Sequence, residues 1–213
     1  MWHELALPWQ ICLSLAWEAY CDGCIPIGAV VTGPDGEIIS RGRNRIYENK
    51  KPEGHTNGQV LAHAEMEALY ALDYDAIDPH ACCLYTTTEP CPMCMGTFYM
   101  SGLRTLHYAS REAFAGSVNM LGTTWYMSRK PIKVIHPENN FLEEFIIALF
   151  VEQDSHLHRG SLPEGIFFDR WRQAIPGGVE LGLVLSESGI LRRHHAEASN
   201  ISVVYNQIES LGK

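Results

Sequence analysis

Two short motifs constrain this 213-residue chain more than any other feature. The first is His63-Ala64-Glu65, and the second is Pro90-Cys91-Pro92-Met93-Cys94. One imidazole and two thiols are ligands that zinc favours in proteins. Three protein ligands leave the fourth position of a tetrahedral zinc ion for water, which is the arrangement of a catalytic site. The motifs therefore predict one zinc ion per chain, held by His63, Cys91 and Cys94.

Both motifs are predicted to lie at helix N-termini. Cys91 and Cys94 are three residues apart, so they share one face of a helix. Pro92 suits the first turn, because the amide proton that it lacks would have no partner there. The positive end of that helix favours the thiolate form of cysteine. His63 precedes a second predicted helix, Ala64 to Leu72, and the two N-termini are expected to converge on the metal.

Glu65 is the predicted catalytic residue. Zinc lowers the pKa of bound water to ~7, and a neighbouring carboxylate can take the released proton and deliver it to a substrate. The alternative is a structural zinc site with a fourth protein ligand. The candidate ligands for that alternative are Cys21, Cys24, Cys82 and Cys83. Such a site gives Glu65 no role, so the sequence favours the catalytic interpretation.

Hydrophobic periodicity predicts an α/β fold. Helices are predicted at Trp9 to Tyr20, Ala64 to Leu72 and Pro92 to Ser101. Strands are predicted at Ile27 to Thr32, Ile38 to Asn44, Cys82 to Thr86, Thr105 to Tyr108 and Ile132 to His136. Alternating strands and helices pair in parallel through right-handed crossovers, whereas the turn at Pro34-Asp35-Gly36 predicts an antiparallel hairpin. We therefore expect a mixed five-stranded sheet between helices, with the ligand site at the carboxyl ends of strands.

Residues 138–213 are predicted to form a mainly helical extension of a catalytic domain that spans residues 1–137. A helix is predicted from Phe141 to Gln153, with Asn140 as its cap. Its apolar stripe fits packing on the core or on a second subunit. Two more helices, Ile166 to Ile175 and Ile190 to Ile208, are predicted on either side of a glycine-rich stretch at Gly177-Gly178.

Charge argues against a polyanionic partner. The chain has 25 acidic and 16 basic side chains, which gives a net charge of −9. Phosphate contacts dominate nucleic-acid affinity and need a basic patch, yet the basic residues are scattered along the sequence. Arg41, Arg43 and Arg45 alternate along a predicted strand, where a solvent-facing row is favoured over a phosphate site. A small neutral substrate is therefore expected.

Composition also predicts a cytoplasmic protein. The seven cysteines are an odd number, which does not suggest a disulfide scaffold. No secretion signal is evident at the N-terminus, and no apolar stretch approaches the ~20 residues that cross a bilayer. Thiolate ligands fit a reducing compartment.

The motifs resemble those of the zinc-dependent deaminase superfamily, which includes cytosine, guanine and tRNA adenosine deaminases. The resemblance runs from about Pro26 to about Tyr108. The matching segments are Pro26-Ile27-Gly28-Ala29-Val30-Val31, Gly33-Pro34-Asp35-Gly36, Gly42-Arg43-Asn44, Ala62-His63-Ala64-Glu65-Met66-Glu67-Ala68 and Thr88-Glu89-Pro90-Cys91-Pro92-Met93-Cys94-Met95-Gly96. The resemblance implies a three-layer α/β/α cytidine-deaminase-like fold.

The same resemblance assigns roles to individual residues. It implies that His63, Cys91 and Cys94 bind zinc and that Glu65 shuttles protons. It also implies that Asn44 contacts the ring or sugar of the substrate. Backbone donors near Ala64 and Cys91 would stabilise the tetrahedral intermediate.

The function implied is hydrolytic deamination of an amino-substituted nucleobase or nucleoside, purine type favoured, with release of ammonia. A homodimer or higher homo-oligomer is implied as well. Pro92-Met93 resembles guanine deaminases, whereas Ala115-Gly116-Ser117 is similar to the tRNA enzymes. Those enzymes carry Asp-Pro-Thr where this chain has Gln59-Val60-Leu61, which disfavours tRNA. The alternatives left open are a tRNA adenosine deaminase and a catalytically silent zinc-stabilised binding module.

Overall fold

The computed structural model describes residues 1–48, 58–137, 139–157 and 165–211. The strands in these ranges are β1 (Gly28–Thr32), β2 (Ile38–Arg43), β3 (Cys83–Thr88), β4 (Thr105–Ser110) and β5 (Lys133–Ile135). The helices are α1 (Leu7–Cys21), α2 (Ala64–Tyr70), α3 (Pro92–Ser101), α4 (Asn140–Leu157), α5 (Ile166–Ala174), α6 (Pro176–Ser188), α7 (Ile190–Ala196) and α8 (Ile201–Leu211).

The five strands form one mixed sheet in the order β2-β1-β3-β4-β5. β1 runs antiparallel to both of its neighbours, whereas β3, β4 and β5 are parallel. β2 and β3 therefore run in the same direction although β1 lies between them, because α2 carries the chain across β1. The predicted mixed sheet of five strands is confirmed.

Helices cover both faces of this sheet. Every residue of β1 is buried, because its alternate side chains enter two different cores. Val30 packs in a core built mainly with α1, α4 and α8, whereas Ala29 and Val31 pack in a core with α2 and α3. The layers are therefore α/β/α, as predicted, and they place the N-termini of α2 and α3 beside the carboxyl end of β3.

The glycine-rich stretch at Gly177-Gly178 is helical, which corrects the prediction of a break between helices. Both glycines lie in α6, and this helix packs closely against α4. A Cβ atom on Gly178 would lie 2.8 Å from the Cβ of Ile147, and one on Gly182 would lie 2.6 Å from the Cβ of Val151. Glycine weakens an isolated helix, but here it permits an approach that a side chain would prevent.

Other helix boundaries also differ from the predictions, and two of these differences have a visible cause. The segment predicted as one helix from Ile190 to Ile208 is two, α7 and α8. Asn200 separates them by accepting a hydrogen bond from Ser202 N through its side chain (2.9 Å), as Asn does in capping turns. For α4, the side chain of Asn139 accepts from Leu142 N (3.1 Å). Asn139 is therefore the cap, one residue before the predicted Asn140.

Helices α4 and α8 of the C-terminal extension pack in the same core as α1, whereas α5 packs in a separate cluster with α4 and α6. Leu142, Phe145 and Ile146 of α4 lie in that core with Leu13 of α1 and Tyr205 of α8. The division into residues 1–137 and 138–213 stays a prediction. Within the described residues, no helix combines the length and apolar character that a membrane span requires.

Candidate metal centre

Two helix N-termini bring the predicted ligands together. His63 directly precedes α2 and Cys91 directly precedes α3, each with extended backbone. Cys94 lies in the first turn of α3, where its side chain is buried. The ligand atoms of the three residues all lie within 4.8 Å of one another. The spacing inferred from the sequence is therefore the spacing that the fold produces.

The distances in this group fit a zinc ion. The Nδ1 atom of His63 lies 3.6 Å from the Sγ of Cys91 and 3.5 Å from the Sγ of Cys94. Tetrahedral zinc with bonds of ~2.3 Å to sulfur and ~2.0–2.1 Å to nitrogen separates S and N by about 3.6 Å. The side chains therefore need little movement to bind the ion.

A fourth protein ligand is absent from the described part of the chain. No other His, Cys, Asp or Glu there joins the group of three. Cys82 and Cys83 lie at the start of β3, whereas the metal centre is beyond its end. The thiol of Cys82 donates instead to the carbonyl of Asp78 at 3.3 Å. The arrangement leaves one coordination position for water, as in catalytic zinc sites.

The two thiols differ strongly in acidity. A hydrogen bond from Cys94 lowers the pKa of Cys91 to about 4, with a further contribution from His63 and against the effect of burial. The pKa of Cys94 is raised, first by this hydrogen bond and second by burial. Zinc binds cysteine as the thiolate, so a proton shared by this pair would leave when the ion binds. The hydrogen bond to Cys91 also raises the pKa of His63, whereas burial opposes that rise.

Glu65 lies beside the three ligands and is almost fully buried. Its Oε2 accepts from the Cys94 thiol at 3.4 Å, and its Oε1 accepts from the Thr86 hydroxyl at 3.3 Å. Burial raises the pKa of Glu65, although its own backbone amide and the charge of His63 oppose the rise. Glu65 is not a member of the group of mutually close ligand atoms. Glu65 therefore lies beside the three ligand atoms without being one of them.

Asn44 and Ala64 lie at the same edge of the sheet. Asn44 immediately follows β2 and is fully buried, and the next backbone amide, that of Arg45, donates to the carbonyl of Ala62 (3.0 Å). Ala64 is the first residue of α2, where backbone amides have no partner within the helix. Ala64 directly follows His63, and Asn44 is one residue away from the Arg45 amide that contacts Ala62; the substrate-binding roles of Asn44 and Ala64 stay predictions.

The sequence did not predict a role for two polar residues of this region, Thr86 and Glu89. Thr86 is two residues after Leu84, so both side chains lie on the face of β3 that meets α2, and Thr86 contacts Glu65 there. A polar residue at a predicted inward position was the available signal. Glu89, just before Pro90, accepts from Val118 N (3.1 Å) and Glu112 N (3.3 Å). It holds the loop after β4 against the metal centre, and no local sequence pattern marks that contact.

The predicted solvent-facing row of arginines is correct for Arg41 and wrong for Arg43 and for Arg45, whose side chain pairs with Glu48 and Glu67. Arg41 is exposed, whereas the side chain of Arg43 is 7% exposed. It pairs with Asp22 at 2.6 Å and with Glu48 at 3.1 Å. Carboxylates from the end of α1 and from the loop after β2 neutralise it, so it does not form a phosphate site.

The fold and the metal centre together define a zinc-binding member of the deaminase fold class. The sequence from residue 3 to 110 matches the model of the cytidine and deoxycytidylate deaminase zinc-binding region. Since that match spans half of the chain, the protein belongs to this family. The resemblance recognised in the sequence and the predicted zinc cofactor are both confirmed.

Curated relatives carry several different activities. The chain is 34% identical over 91 residues to the guanine deaminase of Bacillus subtilis, covering 42% of this chain and 53% of that protein. It is 32% identical over 113 residues to the tRNA-specific adenosine deaminase of Aquifex aeolicus, covering 51% of this chain and 68% of that protein. It is also 35% identical over 108 residues to a tRNA(Ile)-lysidine synthase of Deinococcus radiodurans, covering 50% of this chain but 17% of that protein. The chain thus spans between about a sixth and two thirds of these relatives.

A solved structure shares the fold. It belongs to the guanine deaminase of Nitrosomonas europaea, which is 25% identical, with a TM-score of 0.51 over 68% of this chain and 82% of that chain.

Proposed function

We propose that this protein is a zinc-dependent hydrolytic deaminase of a small amino-substituted nucleobase or nucleoside, with purines favoured. The products are the keto compound and ammonia. One observation carries the proposal: a buried carboxylate lies beside three ligand atoms that together leave one position of zinc for water. A structural zinc site requires no such carboxylate.

The residues of the metal centre are assigned two roles, metal binding and proton transfer. We assign His63, Cys91 and Cys94 as metal ligands; a zinc ion held there would act as a Lewis acid and make a bound water acidic near neutral pH. Glu65 would take one proton from that water and deliver it to the ring nitrogen as the C–O bond forms. It would then pass the second proton, left on the added hydroxyl, to the departing amine, so that the C–N bond breaks and the products are the carbonyl compound and ammonia. Its burial and raised pKa favour a carboxylate that exchanges protons readily. The Thr86 hydroxyl orients one carboxylate oxygen, and the other lies against Cys94 on the side of the metal centre.

Substrate contacts are assigned to Asn44 and to the backbone at Ala64. The Nδ2 group of Asn44 is buried and has no hydrogen-bond partner in the described part of the chain. A buried donor of this kind needs an acceptor, and a ring nitrogen or carbonyl oxygen of a base would supply one. The first-turn amide of Ala64 can donate to the oxygen that gains negative charge during attack.

A free purine base is the favoured substrate. Relatives named as guanine deaminases occur in both the sequence and the structure comparisons. The net charge of −9 also favours a substrate without phosphate.

A tRNA adenosine deaminase is the second candidate. The relative from Aquifex aeolicus supports it, and so does the similarity of Ala115-Gly116-Ser117 to the tRNA enzymes. This candidate predicts binding to an anticodon stem-loop that weakens steeply as salt rises.

The test combines zinc content with ammonia release. Guanine, adenosine, cytosine, cytidine and an anticodon stem-loop are offered to the purified protein, and metal is measured by mass spectrometry. Glu65→Ala is expected to keep one zinc per chain while turnover falls by ~10²–10⁴-fold. Glu187→Ala is the matched control, because Glu187 is an exposed glutamate near the end of α6.

Two results would contradict the proposal. Full turnover in Glu65→Ala would remove the proton-shuttle role. A zinc-loaded protein that releases no ammonia from any of these compounds would instead be the silent binding module, whose fold is expected to collapse when zinc is chelated.

We also propose a cytoplasmic location, because thiolate ligands persist in a reducing compartment. A homodimer or higher homo-oligomer is proposed from the family resemblance.

A further inference from the structure

The side chain of Asn44 is fixed on one side and free on the other. Its backbone amide donates to the carbonyl of Ile27 at 3.0 Å. Its Oδ1 accepts from the amide of Ile46 at 3.1 Å. Nδ2 is buried and unpartnered among the described residues. The hydrogen bond to Oδ1 therefore fixes the orientation of the side-chain amide. The Nδ2 group remains available as a hydrogen-bond donor.

Glu67 of α2 holds both neighbours of Asn44. One carboxylate oxygen accepts from the backbone amide of Arg43 at 3.2 Å. The other forms an ion pair with the Nε of Arg45 at 2.7 Å. The carboxylate is nearly buried, with a side-chain exposure of 6%. A charge in such a place is retained where it is paired, and here the pairing fixes the two residues that flank Asn44.

The helix that carries Glu67 also carries the catalytic side of the centre. His63 precedes α2 and Glu65 lies within its first turn. The end of β2 packs closely against this helix at Gly42. A Cβ atom on that glycine would lie only 2.1 Å from the carbonyl oxygen of Ala64, so a side chain would not fit there. Glu67 therefore links Asn44 to the helix that positions Glu65.

We propose that Glu67 is a positioning residue, which sets the place of the Asn44 donor relative to the metal centre. It touches no substrate and acts through Asn44. This inference rests on the proposed function, since it assigns Asn44 to the acceptor of a bound base. If the Nδ2 group of Asn44 were displaced, base binding would weaken. The metal ligands lie at the N-termini of α2 and α3 and would stay in place.

The decisive experiment is a double-mutant cycle of Glu67→Gln and Asn44→Ala. Glutamine keeps an acceptor for the Arg43 amide but loses the charge that pairs with Arg45. Affinity for guanine is measured by calorimetry on zinc-loaded protein in a Glu65→Ala background, so that binding is read without turnover. KM and kcat are measured with Glu65 intact.

The expected result is a loss of guanine affinity of about 10- to 100-fold in Glu67→Gln, with a matching rise in KM. Zinc content stays at one per chain. In the Asn44→Ala background the same substitution has almost no further effect, because the group through which Glu67 acts is gone. Glu48→Gln is the matched control: Glu48 pairs with both Arg43 and Arg45 but lies outside α2, so affinity changes little.

Three results overturn the proposal. An equal loss of affinity with and without the Asn44 side chain gives Glu67 a general structural role. Loss of zinc in Glu67→Gln shows that Glu67 acts through His63 instead. Wild-type protein that neither deaminates nor binds any base refutes the proposed function and this inference together, whereas the first two results leave the proposed function intact.

Arg45→Gln extends the test if Glu67→Gln does not fold. It breaks the same ion pair from the less buried side, since the Arg45 side chain is 16% exposed. The proposal again requires a loss of guanine affinity that disappears with Asn44→Ala.

Discussion

Replacing Gly182 with alanine tests how α6 is held against α4. Gly182 lies in the middle of α6, where alanine would favour the helix by ~1 kcal/mol over glycine. An added Cβ would lie 2.6 Å from the Cβ and 2.7 Å from the Cγ1 of Val151, and 3.0 Å from the carbonyl oxygen of Ala148. Two of these atoms are backbone or directly attached to it, so the contact cannot be relieved by rotating a side chain.

The contact outweighs the gain in helix propensity. Overpacking of a tight interior costs about 1–3 kcal/mol, and three contacts at or below 3.0 Å place Gly182→Ala near the middle of that range. With ~1 kcal/mol recovered from propensity, the free energy of unfolding is expected to fall by about 1 kcal/mol. For a chain of this size that corresponds to a fall of about 2–4 °C in Tm.

Gly96→Ala is the control with the opposite expected sign. Gly96 is inside α3 and a Cβ there meets nothing within 4 Å, so the gain of ~1 kcal/mol in propensity should appear in full. Both variants are compared with wild type by thermal and urea unfolding, in excess zinc. A rise in Tm for Gly182→Ala would refute the argument, because it would mean that α6 does not lie this close to α4.

Two further predictions concern the metal and pH. Cys94→Ala should reduce the zinc content well below one per chain and lower the Tm. Cys82 lies at the start of β3, so Cys82→Ala should keep the full zinc content. Equal zinc content in both variants would exclude Cys94 as a ligand. The second prediction concerns the pKa of Glu143. Burial would raise this pKa, but hydrogen bonds from Arg111 outweigh burial and lower it. The Arg111 side chain donates two of these bonds (2.8 and 2.9 Å) and its backbone amide donates a third (3.0 Å). A lowered pKa in the folded state adds stability above the unfolded value of ~4.3 and loses it as pH falls through the folded value. Urea unfolding of Glu143→Gln should therefore show a flatter dependence on pH below about 5 than wild type or Glu187→Gln, and parallel curves would contradict the assignment.

Sequence alone located the metal centre because its information is local. Helix α3 begins at Pro92 and ends at Ser101, as predicted, since proline favours the first turn and Gly102 ends the helix with a φ of 92°. Within each motif the ligand spacing is likewise a property of a few consecutive residues, although the approach of the two motifs depends on the fold. Such signals do not depend on what the rest of the chain does.

The features that sequence did not reveal depend on distant partners. Helix α6 contains glycines that predict a loop until α4 is placed beside it. The burial of Arg43 requires Asp22 and Glu48, which come from separate segments. Thr86 became part of the site because β3 was placed beside α2. In each case a contact made by tertiary structure outweighed the local preference.

The shared core on the α1 face of the sheet has a consequence for anyone who wishes to shorten this protein. Trp9, Leu13 and Trp17 of α1 pack with Phe145 and Leu149 of α4. Trimming the chain after β5 would keep every residue of the metal centre and yet remove the helices that cover this apolar side of α1. A shortened protein made in that way is expected to aggregate, unless a replacement helix is supplied.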